Sequence, residues 1–343
     1  MSPFRLTRTL PGDAMDAALR ADVRQGLTGM PKTLPPKWLY DAHGSELFEK
    51  ITRLPEYYPS REEGELLRSV AGAIAVVSGA QTLVELGSGA YSDKTRYLLG
   101  ALPGLHTYVP VDVSASALRQ AGQALTVEYP DLNVHAFTAD FTSDLPLPDT
   151  TPGPRLVVFL GSTIGNLLPA ERATFLTSLR SQLSEDDTLL LGTDLVKDEA
   201  DLIAAYDDPA GVTAAFNKNV LSVINRELGA DFDPDAFDHI ALWDPDPERE
   251  WIEMRLRSRA EQTVKIPALD LTVDFTGGED LRTEISAKFR EDGVRRELAA
   301  AGFELRHFFT TEAHTYGLAL AAPTALPRRH TWSALLQSPS VRP

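Results

Sequence analysis

The chain has 343 residues, and its 33 Lys and Arg against 49 Asp and Glu give a formal net charge of −16. A surface this acidic repels phosphate and anionic lipid, which disfavours nucleic-acid and membrane partners. The chain has no cysteine, which excludes disulfides, thiolate metal sites and cysteine nucleophiles. With no signal-peptide pattern and no apolar run near the roughly 20 residues of a membrane span, the sequence predicts a cytoplasmic protein.

Short apolar runs alternate with helical patterns from about residue 60, which is typical of an α/β domain with a mostly parallel sheet. Ser60-Arg61-Glu62-Glu63 has the form of a capping box and predicts a helix that ends near Ser78. Ser114 is predicted to cap a later helix. The other elements predicted in this region are strands at 82–86, 107–113, 133–138, 155–161 and 188–193, and helices at 93–102, 114–128 and 169–183.

The pattern changes after about residue 195. Residues 198–228 are predicted to be mainly helical with a break at 208–211, and residues 238–275 alternate like hairpin strands. A helix is predicted over 284–301, followed by strands at 303–309 and 316–321 that form an antiparallel edge. We therefore expect a doubly wound α/β domain of residues 61–195 plus 286–330, and a second lobe of residues 8–60 plus 196–285.

Three loops at the carboxyl ends of neighbouring predicted strands carry residues suited to a nucleoside. Gly87-Ser88-Gly89 allows a tight turn close to a ligand, and Asp112 can accept hydrogen bonds from two ribose hydroxyls. Asp140 can accept from an exocyclic adenine amine while Phe141 covers the base. The glycine spacing lacks the third glycine of a dinucleotide site, which weakens a nicotinamide-cofactor interpretation. The alternative is that these are ordinary turn residues.

This arrangement resembles the class I S-adenosylmethionine-dependent methyltransferases. Further motifs resemble the histidine-specific methyltransferases of ergothioneine biosynthesis, and together they cover most of the chain. Those motifs are PKWLYD at 36–41, GSELF at 44–48, LPEYYP at 54–59, ELGSG at 85–89, GSTIGN at 161–166 and DLRTEIS at 280–286. The resemblance implies a class I methyltransferase-like doubly wound sheet with a second α+β substrate lobe.

The same resemblance implies that a monomeric enzyme transfers three methyl groups from S-adenosylmethionine to the α-amino group of L-histidine. The product is hercynine, and the step is the first towards ergothioneine. Gly87 and Lys94 would hold the methionine portion of the cofactor, Asp112 the ribose, and Asp140 with Phe141 the adenine. The segment 89–95 is one residue longer than the family's usual loop, which bears on the place of Lys94.

The resemblance also assigns the substrate pocket. Tyr40 and Asn166 would orient the α-amino group, and Glu284 with Ser286 would bind the imidazole. The remaining assignments are Tyr57 and Tyr206 at the amino-acid portion, and Phe48, Gly161 and Met254 as pocket walls. Methyl transfer to nitrogen is an in-line displacement that demands alignment, and neutral polar groups such as Tyr40 and Asn166 suit positioning better than proton abstraction.

Several alternatives stay open at this stage. Glu284 can simply start a helix capped by Asp280 or Thr283, and Tyr40 can pack between lobes. The acceptor can instead be the amine of another amino acid such as a tryptophan derivative, or the protein can be a non-catalytic S-adenosylmethionine-binding regulator. The seven histidines show no metal-ligand spacing, so no metal is expected.

Overall fold

A computed structural model describes residues 4–9, 13–89, 93–140 and 153–324. Its largest sheet has eight strands in the order β1-β5-β4-β3-β6-β7-β14-β13. These strands are β1 Phe4–Arg8, β3 Thr82–Leu86, β4 Thr107–Asp112, β5 Asn133–Thr138, β6 Arg155–Phe159, β7 Thr188–Asp194, β13 Phe303–Thr310 and β14 Tyr316–Pro323. Strands β1 and β3–β7 pair in parallel, whereas β14 is antiparallel to both β7 and β13.

Both faces of this sheet are covered by helices, which explains why its central strands are nearly continuous apolar runs. Val84 and Val109 pack towards α6 and α9, whereas Leu83 and Tyr108 pack towards α3 and α4. The helices of this layer are α3 Tyr58–Ser78, α4 Thr95–Ala101, α5 Ala115–Glu128, α6 Pro169–Gln182 and α9 Glu291–Ala300. From β3 the strand order runs towards one edge through β4 and β5, and from β6 towards the other edge through β7. Where the order reverses, between β3 and β6, a crevice opens at the carboxyl ends of the strands.

The second lobe is built on a four-stranded sheet with the order β2-β12-β9-β8, next to the hairpin β10-β11. Its strands are β2 Lys32–Thr33, β8 Phe237–Asp244, β9 Trp251–Ser258, β10 Gln262–Ile266, β11 Leu271–Phe275 and β12 Asp280–Ala287. Its helices are α1 Ala14–Thr28, α2 Ala42–Ile51, α7 Glu199–Tyr206 and α8 Val212–Leu228. These elements share one hydrophobic core, which includes Leu27, Leu39, Phe216 and Leu256.

The predicted fold class, a doubly wound α/β sheet with a second α+β lobe, is confirmed. The five strands predicted between residues 82 and 193 lie within one or two residues of the observed strands. Ser114 caps α5, because its side chain accepts a hydrogen bond from the backbone N–H of Ala117. In the described part of the chain, no helix is both long and apolar enough to cross a membrane.

The helix predicted over 284–301 is observed as α9, Glu291–Ala300, but its predicted start is wrong, because Asp280–Ala287 is strand β12. The pairing of β12 with β9 shifts between Arg282 and Glu284, as at a β-bulge. This shift places Leu281 in the core of the second lobe and Ile285 in the core of the large sheet. Leu281 and Ile285 are four residues apart, a spacing that also occurs along one face of a helix. The predicted domain boundary at 285/286 falls inside this strand.

The capping box predicted at Ser60–Glu63 is also wrong. Helix α3 begins at Tyr58, and its N-cap residue Tyr57 makes no side-chain capping hydrogen bond. Pro59 lies in the first turn, where its fixed φ favours helix and its missing N–H costs nothing. The Glu63 side chain is therefore not a cap, and it is fully buried inside the protein.

Candidate active site

The glycine turn after β3 brings backbone N–H groups to the end of β4. Gly87 and Gly89 have φ of +68° and +61°, which other residues rarely adopt. The N–H of Gly89 donates to Asp112 Oδ2 at 2.9 Å, and the N–H of Ser114 donates to Oδ1 at 2.8 Å. Burial raises the pKa of the Asp112 carboxyl, although these backbone hydrogen bonds oppose the rise. The carboxylate is thus held in one orientation at the strand tip.

The third predicted loop lies beside the second lobe. Asp140 follows β5 by two residues, and its Oδ2 is 3.5 Å from the Lys37 ammonium, which also lies 3.1 Å from Asp22 Oδ2. Phe141, predicted at the adenine, lies outside the described residues, as do residues 90–92 of the glycine loop. The tips of β3, β4 and β5 therefore gather Gly87, Asp112 and Asp140 along one edge of the sheet.

Lys94 directly precedes α4, and its ammonium forms an ion pair with Glu63. The other Glu63 oxygen, Oε1, accepts from the Gly161 N–H and the Tyr316 hydroxyl, both at 2.7 Å. Gly161 itself has a φ of +72° at the exit of β6. Sequence reasoning missed this role of Glu63. The available signal was that Glu63 shares the apolar stripe of α3 with Leu66 and Leu67, an unusual place for a carboxylate.

Aromatic side chains form one wall of the cleft. The Tyr40 ring lies 5.3 Å from Phe48 and 5.2 Å from Phe216, measured between centroids. Tyr57 continues this wall, with its ring 6.0 Å from Phe48 and 6.2 Å from Tyr206. Burial, followed by the nearby Glu284 carboxylate, holds the pKa of Tyr40 well above its ordinary value. Tyr40 therefore stays a neutral hydroxyl close to Glu284. Phe216 also belongs to this aromatic group, although the sequence analysis did not single it out.

The opposite wall comes from β12 and the turn after β6. Asn166 ends a 3₁₀ turn at Thr163–Asn166, and its Nδ2 donates to the Ile285 carbonyl at 2.7 Å. Glu284 is paired with Met254 across the strands, so the predicted pocket residue Met254 lies beside it. These contacts place both Asn166 and Met254 next to Glu284.

Glu284 is the most unusual acid of this cleft. Its Oε2 is buried and has no hydrogen-bond partner. Burial raises the pKa of the Glu284 carboxyl to about 7, although Lys288 and the Asn166 amide oppose that rise. A buried polar atom without a partner is costly, and such an atom in a cleft is ready to accept a hydrogen bond from a ligand.

Beneath this wall lies a charged cluster that the sequence did not indicate. The Lys288 ammonium is 2.9 Å from Asp194 Oδ2, Lys197 pairs with Oδ1, and the Tyr58 hydroxyl donates to Oδ2 at 2.9 Å. Burial would raise the pKa of the Asp194 carboxyl, but the two lysines outweigh it and lower that pKa. The segments meet because the Phe289 N–H donates to the Asp194 carbonyl at 2.8 Å. Asp194 is therefore an ionised, buried anchor.

Close packing sets the position of Asn166. A Cβ added to Gly165 would lie 2.8 Å from the Ala287 oxygen, so the 3₁₀ turn rests directly on β12. We expect Gly165→Ala to destabilise the protein by about 1–3 kcal/mol and to raise the KM for the methyl acceptor, because the turn must lift away from β12. Denaturant unfolding and steady-state kinetics measure both effects. Gly104→Ala, where an added Cβ meets nothing within 4 Å, is the control and should change neither.

Comparison with known proteins agrees with this geometry. Residues 19–323 match the family model described as "Histidine-specific methyltransferase, SAM-dependent". The chain is 56% identical to the histidine N-alpha-methyltransferase of Mycolicibacterium smegmatis over 320 residues, 92% of this chain and 98% of that protein. It is 55% identical to the enzyme of the same name from Mycobacterium tuberculosis, over 90% of this chain and 96% of that protein.

A more distant relative extends the comparison to fungi. The ergothioneine biosynthesis protein 1 of Schizosaccharomyces pombe is 33% identical over 229 residues, which are 62% of this chain and 29% of that longer protein. The family match spans most of this chain and includes the glycine turn, the 3₁₀ turn and β12. The chain therefore belongs to the family of histidine-specific, S-adenosylmethionine-dependent methyltransferases.

Proposed function

We propose that this enzyme transfers three methyl groups in turn from S-adenosylmethionine to the α-amino nitrogen of L-histidine, giving hercynine, the first step towards ergothioneine. The observation that carries the proposal is the unpartnered, buried Oε2 of Glu284, two residues before the Ser286 hydroxyl on β12. An acceptor and a donor at this spacing suit the two nitrogens of an imidazole ring. An apolar indole ring offers no second nitrogen to such a pair.

The strand tips fit the cofactor. The positive φ of Gly87 and Gly89 lets the backbone pass close to a ligand, and Asp112 has a fixed carboxylate for the ribose hydroxyls. Asp140 and Phe141 would hold the adenine, and Lys94 with Gly87 the methionine portion. When bound, S-adenosylmethionine supplies an electrophilic methyl group on a sulfonium. The residues around it must align that group with the acceptor and exclude water.

The second lobe would present the amine. Tyr40 and Asn166 are neutral, so they orient the α-amino group by hydrogen bonds rather than by taking its proton. The Asn166 amide is fixed by its bond to the Ile285 carbonyl. Tyr57 and Tyr206 would bind the amino-acid portion, while Phe48, Gly161 and Met254 shape the pocket. The departing proton must be accepted directly or through water, and the tyrosines stay neutral because their pKa values are raised well above the ordinary value.

Mass spectrometry tests the proposal directly. The protein is incubated with L-histidine and S-adenosylmethionine, and mono-, di- and trimethylated histidine are followed over time. Three successive additions are expected, with little product from tryptophan. Folded protein that binds S-adenosylhomocysteine but methylates no histidine would instead indicate a non-catalytic regulator. Methylated tryptophan without methylated histidine would indicate that the acceptor is a tryptophan-type amino acid.

Asp112 provides a separate test of the cofactor site. We expect Asp112→Ala to weaken S-adenosylhomocysteine binding by about 10- to 100-fold, because charge-assisted hydrogen bonds to the ribose are lost. Calorimetric titration measures this change. The exposed Asp131, near the start of β5, gives the matched control Asp131→Ala, which should leave binding unchanged. An unchanged affinity in Asp112→Ala would contradict the ribose assignment.

A further inference from the structure

Lys288 lies at the back of the proposed imidazole pocket, and its ammonium is fully buried. It donates to Asp194 Oδ2 at 2.9 Å, to the Tyr206 hydroxyl at 3.0 Å and to the Ser286 hydroxyl at 2.9 Å. An ammonium has three N–H donors and no acceptor, so these three contacts use all of them. Both hydroxyls must therefore accept at least one hydrogen bond from Lys288.

The two hydroxyls also contact each other. Tyr206 Oη and Ser286 Oγ lie 2.7 Å apart, so one of them donates to the other. A phenol is the more acidic hydroxyl and hence the stronger donor, which makes Tyr206 the donor and Ser286 the acceptor. Ser286 then accepts two hydrogen bonds, from Lys288 and from Tyr206. Its lone pairs are both taken, and its own proton is the only one left to point towards a ligand.

We propose that Lys288 is a positioning residue that turns Ser286 into an obligate hydrogen-bond donor, so that the pocket selects the neutral form of the imidazole ring. This inference rests on histidine being the acceptor. A neutral ring has one bare nitrogen, which accepts from Ser286, and one N–H, which donates to Glu284. An imidazolium would direct a second N–H at Ser286, which has no lone pair to offer.

Charge balance favours the same assignment. Above the Glu284 pKa of about 7, Asp194 and Glu284 carry two negative charges, and Lys197 and Lys288 carry two positive charges. A neutral ring leaves this buried group of four charges balanced, whereas an imidazolium adds an uncompensated charge. Burying an uncompensated charge is costly. A role for Tyr206 follows as well: its proton is donated to Ser286, so it contacts the amino-acid portion only as a hydrogen-bond acceptor.

The first test uses the complete enzyme in a dead-end complex with S-adenosylhomocysteine and histidine labelled with ¹⁵N in the ring. The spectra are recorded from pH 6, where free histidine is mostly protonated, to pH 8, where the Glu284 carboxyl is ionised. The ¹⁵N shifts of bound histidine are expected to show one bare and one protonated nitrogen. Two protonated nitrogens would overturn the inference. If histidine does not bind, histidine is not the acceptor and this inference fails with the proposed function. The turnover assay shows separately whether histidine is methylated.

The second test uses variants. Lys288→Met and Ser286→Ala should each raise the KM for histidine by about 10- to 100-fold, with smaller changes in kcat and in S-adenosylhomocysteine binding. The double variant should be scarcely worse than either single one, because both remove the same donation. Tyr206→Phe should raise that KM less than Ser286→Ala does. Equal losses in these two would make Tyr206 the outward donor and overturn the assignment.

Lys32→Met is the matched control, since Lys32 is another buried lysine in an ion pair, with Glu279 at the far end of β12. If Lys288→Met changes the KM for histidine, kcat and S-adenosylhomocysteine binding in the same way as Lys32→Met, Lys288 has a structural role only and the inference is refuted. If Lys288→Met does not fold, the labelled-ring experiment and the comparison of Ser286→Ala with Tyr206→Phe still decide it.

Discussion

Glu284→Ala is expected to raise the KM for histidine by about 100-fold while S-adenosylhomocysteine binding changes by less than about twofold. The carboxylate is the group that would accept the ring N–H, and losing a charge-assisted hydrogen bond in a buried pocket is costly. The cofactor residues Gly87, directly after β3, and Asp112, at the end of β4, lie outside β12 and keep their contacts. Steady-state kinetics and calorimetry on one preparation measure both effects, and equal losses would count against this role of Glu284.

The isosteric Glu284→Gln adds a pH test of the same prediction. The pKa of Glu284 is raised to about 7 by burial, so the carboxylate is half-ionised near neutral pH. The ratio of kcat/KM for histidine, wild type over Glu284→Gln, should therefore rise with pH and level off above about pH 8. Titration of the substrate itself cancels in this ratio. A ratio that does not vary between pH 6 and 8 would contradict the prediction.

The raised pKa also has a stability consequence with a defined sign. The unfolded carboxyl titrates near 4.5 and the folded one near 7, so between these values the native state binds more protons than the unfolded state. The contribution of Glu284 to stability is thus lost as pH rises through about 7. Thermal unfolding without ligands should show Glu284→Gln gaining stability over the wild type between pH 5 and pH 8.

Glu63→Gln is expected to destabilise the protein by about 3–5 kcal/mol, even though it changes only one oxygen to nitrogen. Glu63 accepts from Gly161, Tyr316 and Lys94, and its side chain is fully buried. An amide cannot satisfy all three donors, because its NH₂ must face either the ammonium or the other two groups. Either Lys94 or Gly161, at the exit of β6, thus loses its acceptor, so cofactor binding should also weaken.

Glu62→Gln, the adjacent change, is the control for this prediction. Glu62 is only partly buried and accepts from the Thr315 hydroxyl. We expect a cost below about 1 kcal/mol, as for ordinary surface groups. Denaturant unfolding gives the free energies, and S-adenosylhomocysteine titration gives the binding constants. If Glu62→Gln and Glu63→Gln lose similar amounts of unfolding free energy and cofactor affinity, the prediction for the buried Glu63 is wrong.

The larger sheet was predictable because its signals are local. A buried strand such as β3 needs only a short apolar run, and the cap of α5 needs only Ser114 followed by a helical pattern. The break between α7 and α8 likewise follows from Asp208-Pro209-Ala210-Gly211. In contrast, β12 was mistaken for a helix start, because Asp280 or Thr283 can serve as an N-cap and Glu284 as a first-turn acid, and only the pairing with β9 shows a strand.

By itself the sequence determined the α/β class, the order of the strands along the chain, and, through its motifs, the family and the residues proposed for the site. Only the tertiary structure decided which of those residues meet. Glu63 and Gly161 are 98 positions apart, and Tyr206 and Ser286 are 80 apart, yet each pair shares a hydrogen bond. The same holds for Lys288 and Asp194. The physical reason is that burial and partner choice depend on how two cores pack around β12, and no local pattern of residues encodes that contact.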